Sequence, residues 1–362
     1  MTCLGITKVT IKREPLVHHY NSTDSPCELL ILAAGFEDRA FEFISKTNFS
    51  LNANCILVGF NFDIDENKEV HSRFDEQIES KFSKDRIFRI NIDQEFPQNF
   101  EKQLKSTLPK ILPFTGETWI DISGLPTHAI CSTLRLSRKY FPSKEQVIVY
   151  TAAKEYFPTK NEYQKLKKSL SNGVVDFLPP TMALEMSEVL MLEGFSGHRS
   201  KEGVSCLAVF AGYDVDRSSG VIESINPSTL LLLYGTPGND EIQWRQELSK
   251  DLHKRFESTR KTASETVSTL DPQESIDVLE EYYEYLFEDY DFTVSPVCSK
   301  MQAVAVYLFW EKYKEVQIVF PMPLGYSIDR SPKGVSETYL TYLHPKNTLF
   351  RTPENLSRGS VL

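Results

Sequence analysis

The sequence has no paired-cysteine motif, no long apolar run and no excess of positive charge. Its six cysteines (Cys3, Cys27, Cys55, Cys131, Cys206 and Cys298) are scattered through 362 residues with no CxxC pair. That spacing argues against a disulfide framework and places the chain in a reducing cytoplasm. The seven histidines (His18, His19, His71, His128, His198, His253 and His344) form no HExxH and no ligand spacing with the cysteines, so neither a metal nor another cofactor is expected. No run approaches the ~20 apolar residues of a membrane span. Met1 to Arg13 has neither a long apolar core nor a small-residue cleavage site, so no signal peptide is expected. With 40 Lys and Arg against 50 Asp and Glu, the net charge is −10. A broad basic face for duplex DNA is excluded, while a local pocket for one small anion is not. GxGxxG and P-loop motifs are missing as well.

What is present is a repeat. Gly35-Phe36-Glu37-Asp38-Arg39 follows the apolar run Leu29 to Ala34, and Gly212-Tyr213-Asp214-Val215-Asp216-Arg217 follows the run Leu207 to Ala211. Ile56 to Gly59 answers to Leu231 to Gly235, Trp119 to Ser123 to Phe292 to Pro296, and Val147 to Tyr150 to Val316 to Phe320. The offsets run from roughly 169 to 177 residues in constant order, the mark of an internal duplication. Short β-rich runs alternate with helical segments, the pattern of βαβ units. The fold expected is α/β: two tandem Rossmann-like parallel-sheet domains related by internal duplication, with function sought where they meet.

The expected organisation is an N-terminal arm (1–26), a first domain (27–158), a helical connector (159–203), a second domain (204–326) and a C-terminal tail (327–362), much of it loop. Helices are expected at Ala40 to Lys46, Glu66 to Lys81, Phe96 to Leu108, Thr127 to Tyr140, Lys160 to Leu170 and Pro272 to Glu288. The last is acidic and rich in tyrosine, which reads as a solvated face over an aromatic underside.

In an open parallel sheet, ligands bind beyond the carboxyl ends of the strands. The sharpest candidate is Ser295-Pro296-Val297-Cys298-Ser299-Lys300-Met301-Gln302, where a hydroxyl and a lysine enter a helix after a strand. Backbone donors, a helix dipole and a full positive charge together suit a phosphate. The structural alternative makes Ser299 a helix cap and Lys300 a surface charge. Ser123, Thr127 and His128 form the counterpart in the first copy, with His128 at the place of Lys300. Gly35, Arg39, Gly212 and Arg217 lie in the repeated turn. There the arginines either reach a ligand or pair with neighbouring acids while Gly permits a tight turn. The Gly235-Thr236-Pro237-Gly238 loop, the Gly194 to His198 segment and the acids Asp63, Asp65 and Glu66 read as ordinary turns and loops. No catalytic residue is identified.

A strand, a hydroxyl- and lysine-bearing loop and a helix, inside a doubly wound unit that occurs twice, resemble the CRISPR-associated Rossmann fold (CARF). Cys298-Ser299-Lys300 stands where that family carries a Gly-Thr-Lys type motif, with Cys in place of Gly. Gly35 and Gly212 correspond to its ligand-facing first turn. The resemblance implies a sensor of cyclic oligonucleotides in prokaryotic antiviral defence, signalling to a protein partner or effector. The alternatives are a metal-independent phosphodiesterase of the ring-nuclease kind and a scaffold subunit that binds its partner through the acidic helix.

Overall fold

The computed structural model describes residues 17–20, 24–61, 64–171, 181–197, 204–238, 242–259, 261–297 and 299–344. They fall into two compact units: the described residues of Glu14–Glu155 with Pro332–Leu362, and those of Tyr156–Ser331. Each is taken by itself.

The first unit holds β1 (His18–His19), β2 (Cys27–Ala33), α1 (Asp38–Lys46), β3 (Asn54–Phe60), α2 (Ile64–Lys81), β4 (Ile87–Ile92), α3 (Gln98–Thr107), β5 (Glu117–Asp121), α4 (Thr127–Tyr140) and β6 (Gln146–Thr151). The second holds α5 (Lys160–Ser171), β7 (Met186–Leu190), β8 (Ser205–Ala211), α6 (Val215–Ile225), β9 (Thr229–Thr236), α7 (Trp244–Thr259), β10 (Lys261–Ser268), α8 (Pro272–Leu286), β11 (Asp291–Ser295), α9 (Lys300–Lys312), β12 (Gln317–Ile318) and β13 (Phe320–Pro323). The last strand, β14 (Thr338–Leu343), returns to the first unit.

The first sheet runs β1-β14-β6-β5-β2-β3-β4, and the second β10-β9-β8-β11-β12. Within them, β6-β5-β2-β3-β4 and β12-β11-β8-β9-β10 have the same order, and every pairing along both is parallel. Both are doubly wound, with the strand order reversing between β2 and β5 in one unit and between β8 and β11 in the other. The two units are thus Rossmann-like α/β domains of one topology. Their central strands are buried along nearly their whole length, because helices on both faces demand continuous apolar runs. The first core gathers Leu30, Leu32, Phe43, Leu57, Phe74 and Trp119, and the second gathers Leu207, Val209, Leu230, Leu232 and Tyr234.

The segment expected as an arm supplies β1, which pairs antiparallel with β14. The segment expected as a looped tail supplies β14 itself, paired antiparallel with β6 over Thr338 to Leu343. Leu340, Thr341 and Leu343 are buried there, and β1 covers the outer edge of β14. The expected connector contributes α5 and β7 to the second unit. The expected strand Val316 to Phe320 is split. Gln317–Ile318 pairs with β11, whereas Phe320–Pro323 pairs antiparallel with β7. Pro321 and Pro323 lack the N–H that a central strand must donate, so they suit a two-stranded ribbon.

Candidate functional site

The two switch points, at the carboxyl ends of β2 and β5 and of β8 and β11, carry the candidate residues, and they differ in how open they are to a charged ligand. In the first unit the turns after β2 and β5 press together. A Cβ on Gly35 would lie 3.2 Å from the Cα of Gly124, and one on Gly124 would lie 2.7 Å from the Ala33 carbonyl oxygen. Only hydrogen in place of Cβ permits that approach.

Arg39 is buried beneath this turn. Its Nε donates to the Glu37 carboxylate, and its Nη1 donates to the Tyr150 hydroxyl at 3.1 Å and the Thr151 carbonyl at 3.5 Å. Ser123 is buried too. Its hydroxyl accepts from the Thr151 N–H at 2.9 Å, while its own N–H donates to Asp121 at 2.9 Å, so it ties β5 to β6. Thr127 is the first residue of α4 and half-buried. His128 follows it, buried, and burial lowers its pKa to about 4, so it is neutral at neutral pH.

In the second unit Gly212 closes on the loop after β11, where a Cβ would lie 3.2 Å from the Val297 carbonyl oxygen. Asp214 caps α6 and accepts from the Arg217 N–H at 3.3 Å and from its Nε at 2.5 Å. Arg217 keeps about a fifth of its side chain exposed, at 21%, against 5% for Arg39. Burial holds the nearby Tyr326 phenol above its ordinary range, with the Arg217 charge acting in the opposite sense.

Ser299 caps α9 in a capping box. Its hydroxyl accepts from the Gln302 N–H at 3.2 Å, the Gln302 side chain accepts from the Ser299 N–H at 3.1 Å, and the hydroxyl donates to the Thr269 carbonyl at 2.7 Å. The same Gln302 amide donates to the Ser268 carbonyl at 3.1 Å, which fixes the start of α9 against the end of β10. Lys300 is the first helical residue and half-buried. Ser295, the last residue of β11, is fully buried, and its hydroxyl has no hydrogen-bond partner among the described residues. Cys298 lies outside the described residues.

Two findings here escape sequence reading. The residue of α4 equivalent to Lys300 is Thr127, not His128, since each opens its helix. The second concerns the charge at helix starts. Acids occupy the first turn of α1 (Asp38), α3 (Glu101), α5 (Glu162), α6 (Asp216), α7 (Glu247) and α8 (Glu274), and α2 opens Ile64-Asp65-Glu66. Among the described α-helices only α4 and α9 have no first-turn acid, and each starts at a switch point, after β5 and β11, beside α1 and α6, which do carry one. That signal is readable in sequence once helix starts are known. Elsewhere first-turn acids offset the positive end of the helix dipole, and the first turns of α4 and α9 supply none.

Among the described residues no group of three or more His, Cys, Asp or Glu is placed to hold a metal, and no helix is long and apolar enough to cross a membrane. Cys27, Cys55, Cys131 and Cys206 are buried free thiols. Burial raises the Cys206 pKa to about 12, so that thiol is inert packing.

No protein-family model matches the sequence, and no curated protein matches it. Among solved structures it is similar to a type III CRISPR defence DNA nuclease activated by cyclic oligoadenylate, at 10% identity and a TM-score of 0.45, over 78% of this chain and 63% of that one. It is also similar to the N-domain of a bacterial malonyl-CoA reductase with NADP, at 10% identity and a TM-score of 0.21, over 79% of this chain and 80% of that one. The chain spans less than two thirds of the nuclease's length.

Proposed function

We propose that the protein binds a nucleotide-type anion at the carboxyl end of the second sheet, with Lys300 as its chief positive charge, and acts through that site as a sensor or regulatory protein. One observation carries the reading. Of the two helices that start at that switch point, α6 carries Asp216 in its first turn, whereas α9 opens on a lysine in a first turn without acid. For stability alone this is the wrong end: a cation beside a helix N-terminus is disfavoured by about 0.3–1 kcal/mol. An anion reverses the sign, because it meets the dipole and the ammonium together.

Gly212 adds close backbone approach and Arg217 a second, partly exposed charge. Ser299 shapes the helix start through its capping box rather than offering a spare hydroxyl. In the first unit the equivalent junction has Thr127 and a neutral His128 at the helix start, with Arg39 and Ser123 buried in internal bonds. It offers a phosphate no positive charge at the helix start, and binding falls to the second unit.

The finer form of the reading is a cyclic oligonucleotide as ligand and antiviral defence as setting, which is what the CARF resemblance of Cys298-Ser299-Lys300 implies. A thermal-shift series with cyclic and linear oligoadenylates tests it. A ligand at a hundred times its Kd stabilises by about 2.7 kcal/mol, a readily measured rise in melting temperature. Lys300→Ala abolishes the rise if the site is right, and a rise that survives this substitution contradicts it. Analysis of the same incubations for cleaved ligand separates a sensor from a phosphodiesterase.

A further inference from the structure

A cleft of about 190 Å³ opens beside the turn between β8 and α6 in the second unit. Pockets for drug-sized ligands run from about 300 to 1,000 Å³, so this one suits a single side-chain-sized group. Its floor is apolar: Leu248, fully buried, and Leu252, half-buried, stand one turn apart on α7 beside Tyr213. Its polar lining is acidic, with Glu185, Asp214 and Asp216, and no Lys, Arg or His is among the described lining residues. Asp214 is committed to Arg217. Glu185 and Asp216 are exposed and make no ion pair among the described residues.

The walls are built before anything binds. Arg245 donates to the carbonyl oxygens of Tyr156, Phe157 and Pro158, the last at 2.8 Å, and its guanidinium lies 5.5 Å from the Tyr213 ring centre. On the opposite side the Leu184 N–H donates to the Gly325 carbonyl at 2.9 Å, and the Leu324 N–H donates to the Glu185 carbonyl at 2.7 Å. A preformed cleft spends little of its binding energy on ordering itself.

We infer that this cleft binds a cationic head on an apolar stem, the chemistry shared by a lysine or arginine side chain and a free aliphatic amine. The stem covers Leu248, Leu252 and the Tyr213 ring, and the head meets Glu185 and Asp216 at the mouth. Hydrogen bonds between charged partners are roughly twice as strong as neutral ones. An anion is repelled by the same carboxylates. The inference is independent of the strand-end anion site, which asks for the opposite charge on other residues.

Calorimetric titration of the full chain tests it with three probes: a capped Gly-Arg-Gly peptide, agmatine, and the same peptide with citrulline in place of arginine. Saturable binding of a guanidinium probe is expected. Citrulline, and the Glu185→Gln/Asp216→Gln double variant, should each weaken it by roughly tenfold, about 1.4 kcal/mol. Both acids are exposed, so the variant stays folded, with a small fall in melting temperature from the lost first-turn acid of α6. Tighter binding of the peptide identifies a partner's side chain as the source, and tighter binding of agmatine a free amine. Equal binding of citrulline, undiminished binding by the double variant, or no saturation in the millimolar range overturns the inference.

Discussion

Arg39 and Arg217 close the same repeated turn, yet their surroundings separate them. Arg39 is sealed among Glu37, Tyr150 and Thr151, whereas Arg217 shares Asp214 at a partly exposed rim. Removing one member of a buried ion pair leaves the other charge uncompensated, at about 3–5 kcal/mol. Arg39→Ala should therefore lower the urea midpoint by a stability loss of that order, and ligand affinity should stay unchanged in the folded fraction. His128 gives a second residue-scale prediction. Its pKa falls from 6.5 unfolded to about 4 folded, so the unfolded chain binds the extra proton between those values. Stability then rises with pH across that window, is lost on acidification from about 6.5 to 4, and is flat in this respect above it. The two values imply a contribution on the order of 3 kcal/mol. His128→Gln should remove that slope from urea midpoints measured between pH 4 and 7, and an unchanged slope would show that another group titrates. Sequence offered both roles for the arginines and could not choose, because Tyr150 lies 111 residues from Arg39.

Helix α9 depends on its capping box, in which Ser299 and Gln302 satisfy each other's backbone N–H groups. Loss of such a cap costs about 1 kcal/mol, within a range of about 0.5–2. Ser299→Ala should show that loss by denaturant titration. Ser299→Ala/Gln302→Ala should cost less than the two single losses added, since both act through one device. Strict additivity would mean that the box does not operate in solution. At this scale the sequence was most legible where packing leaves a continuous apolar run, as in β2, β8 and β9, and in α4, whose bounds at Thr127 and Tyr140 match the expected ones. Strand β10, with its Thr, Ser and Glu residues, hides because it is a sheet edge with one neighbour. Helix α7 was readable from Leu248, Leu252 and Phe256 at fourth positions, but its charged exterior obscures them. Strand β14 pairs with β6 across most of the chain, a long-range closure that no local pattern announces.

At the scale of the whole molecule, a duplicated topology has diverged in charge rather than in strand order. Both sheets reverse direction at the same place, and a helix without a first-turn acid starts at each reversal. Only one of those helices begins with a cation. The duplication was legible because the strand-ending glycines and the spacing between runs survived in both halves. The asymmetry was only partly legible, since sequence set His128 against Lys300, and matching Thr127 to Lys300 required knowing where each helix begins. Calorimetric titration of an oligoadenylate ligand against the unmodified protein, Lys300→Ala and Thr127→Ala compares the two equivalent positions directly. The account predicts that Lys300→Ala removes measurable binding while Thr127→Ala leaves the affinity within a factor of about two. Equal losses from both substitutions, or full affinity after Lys300→Ala, would contradict it.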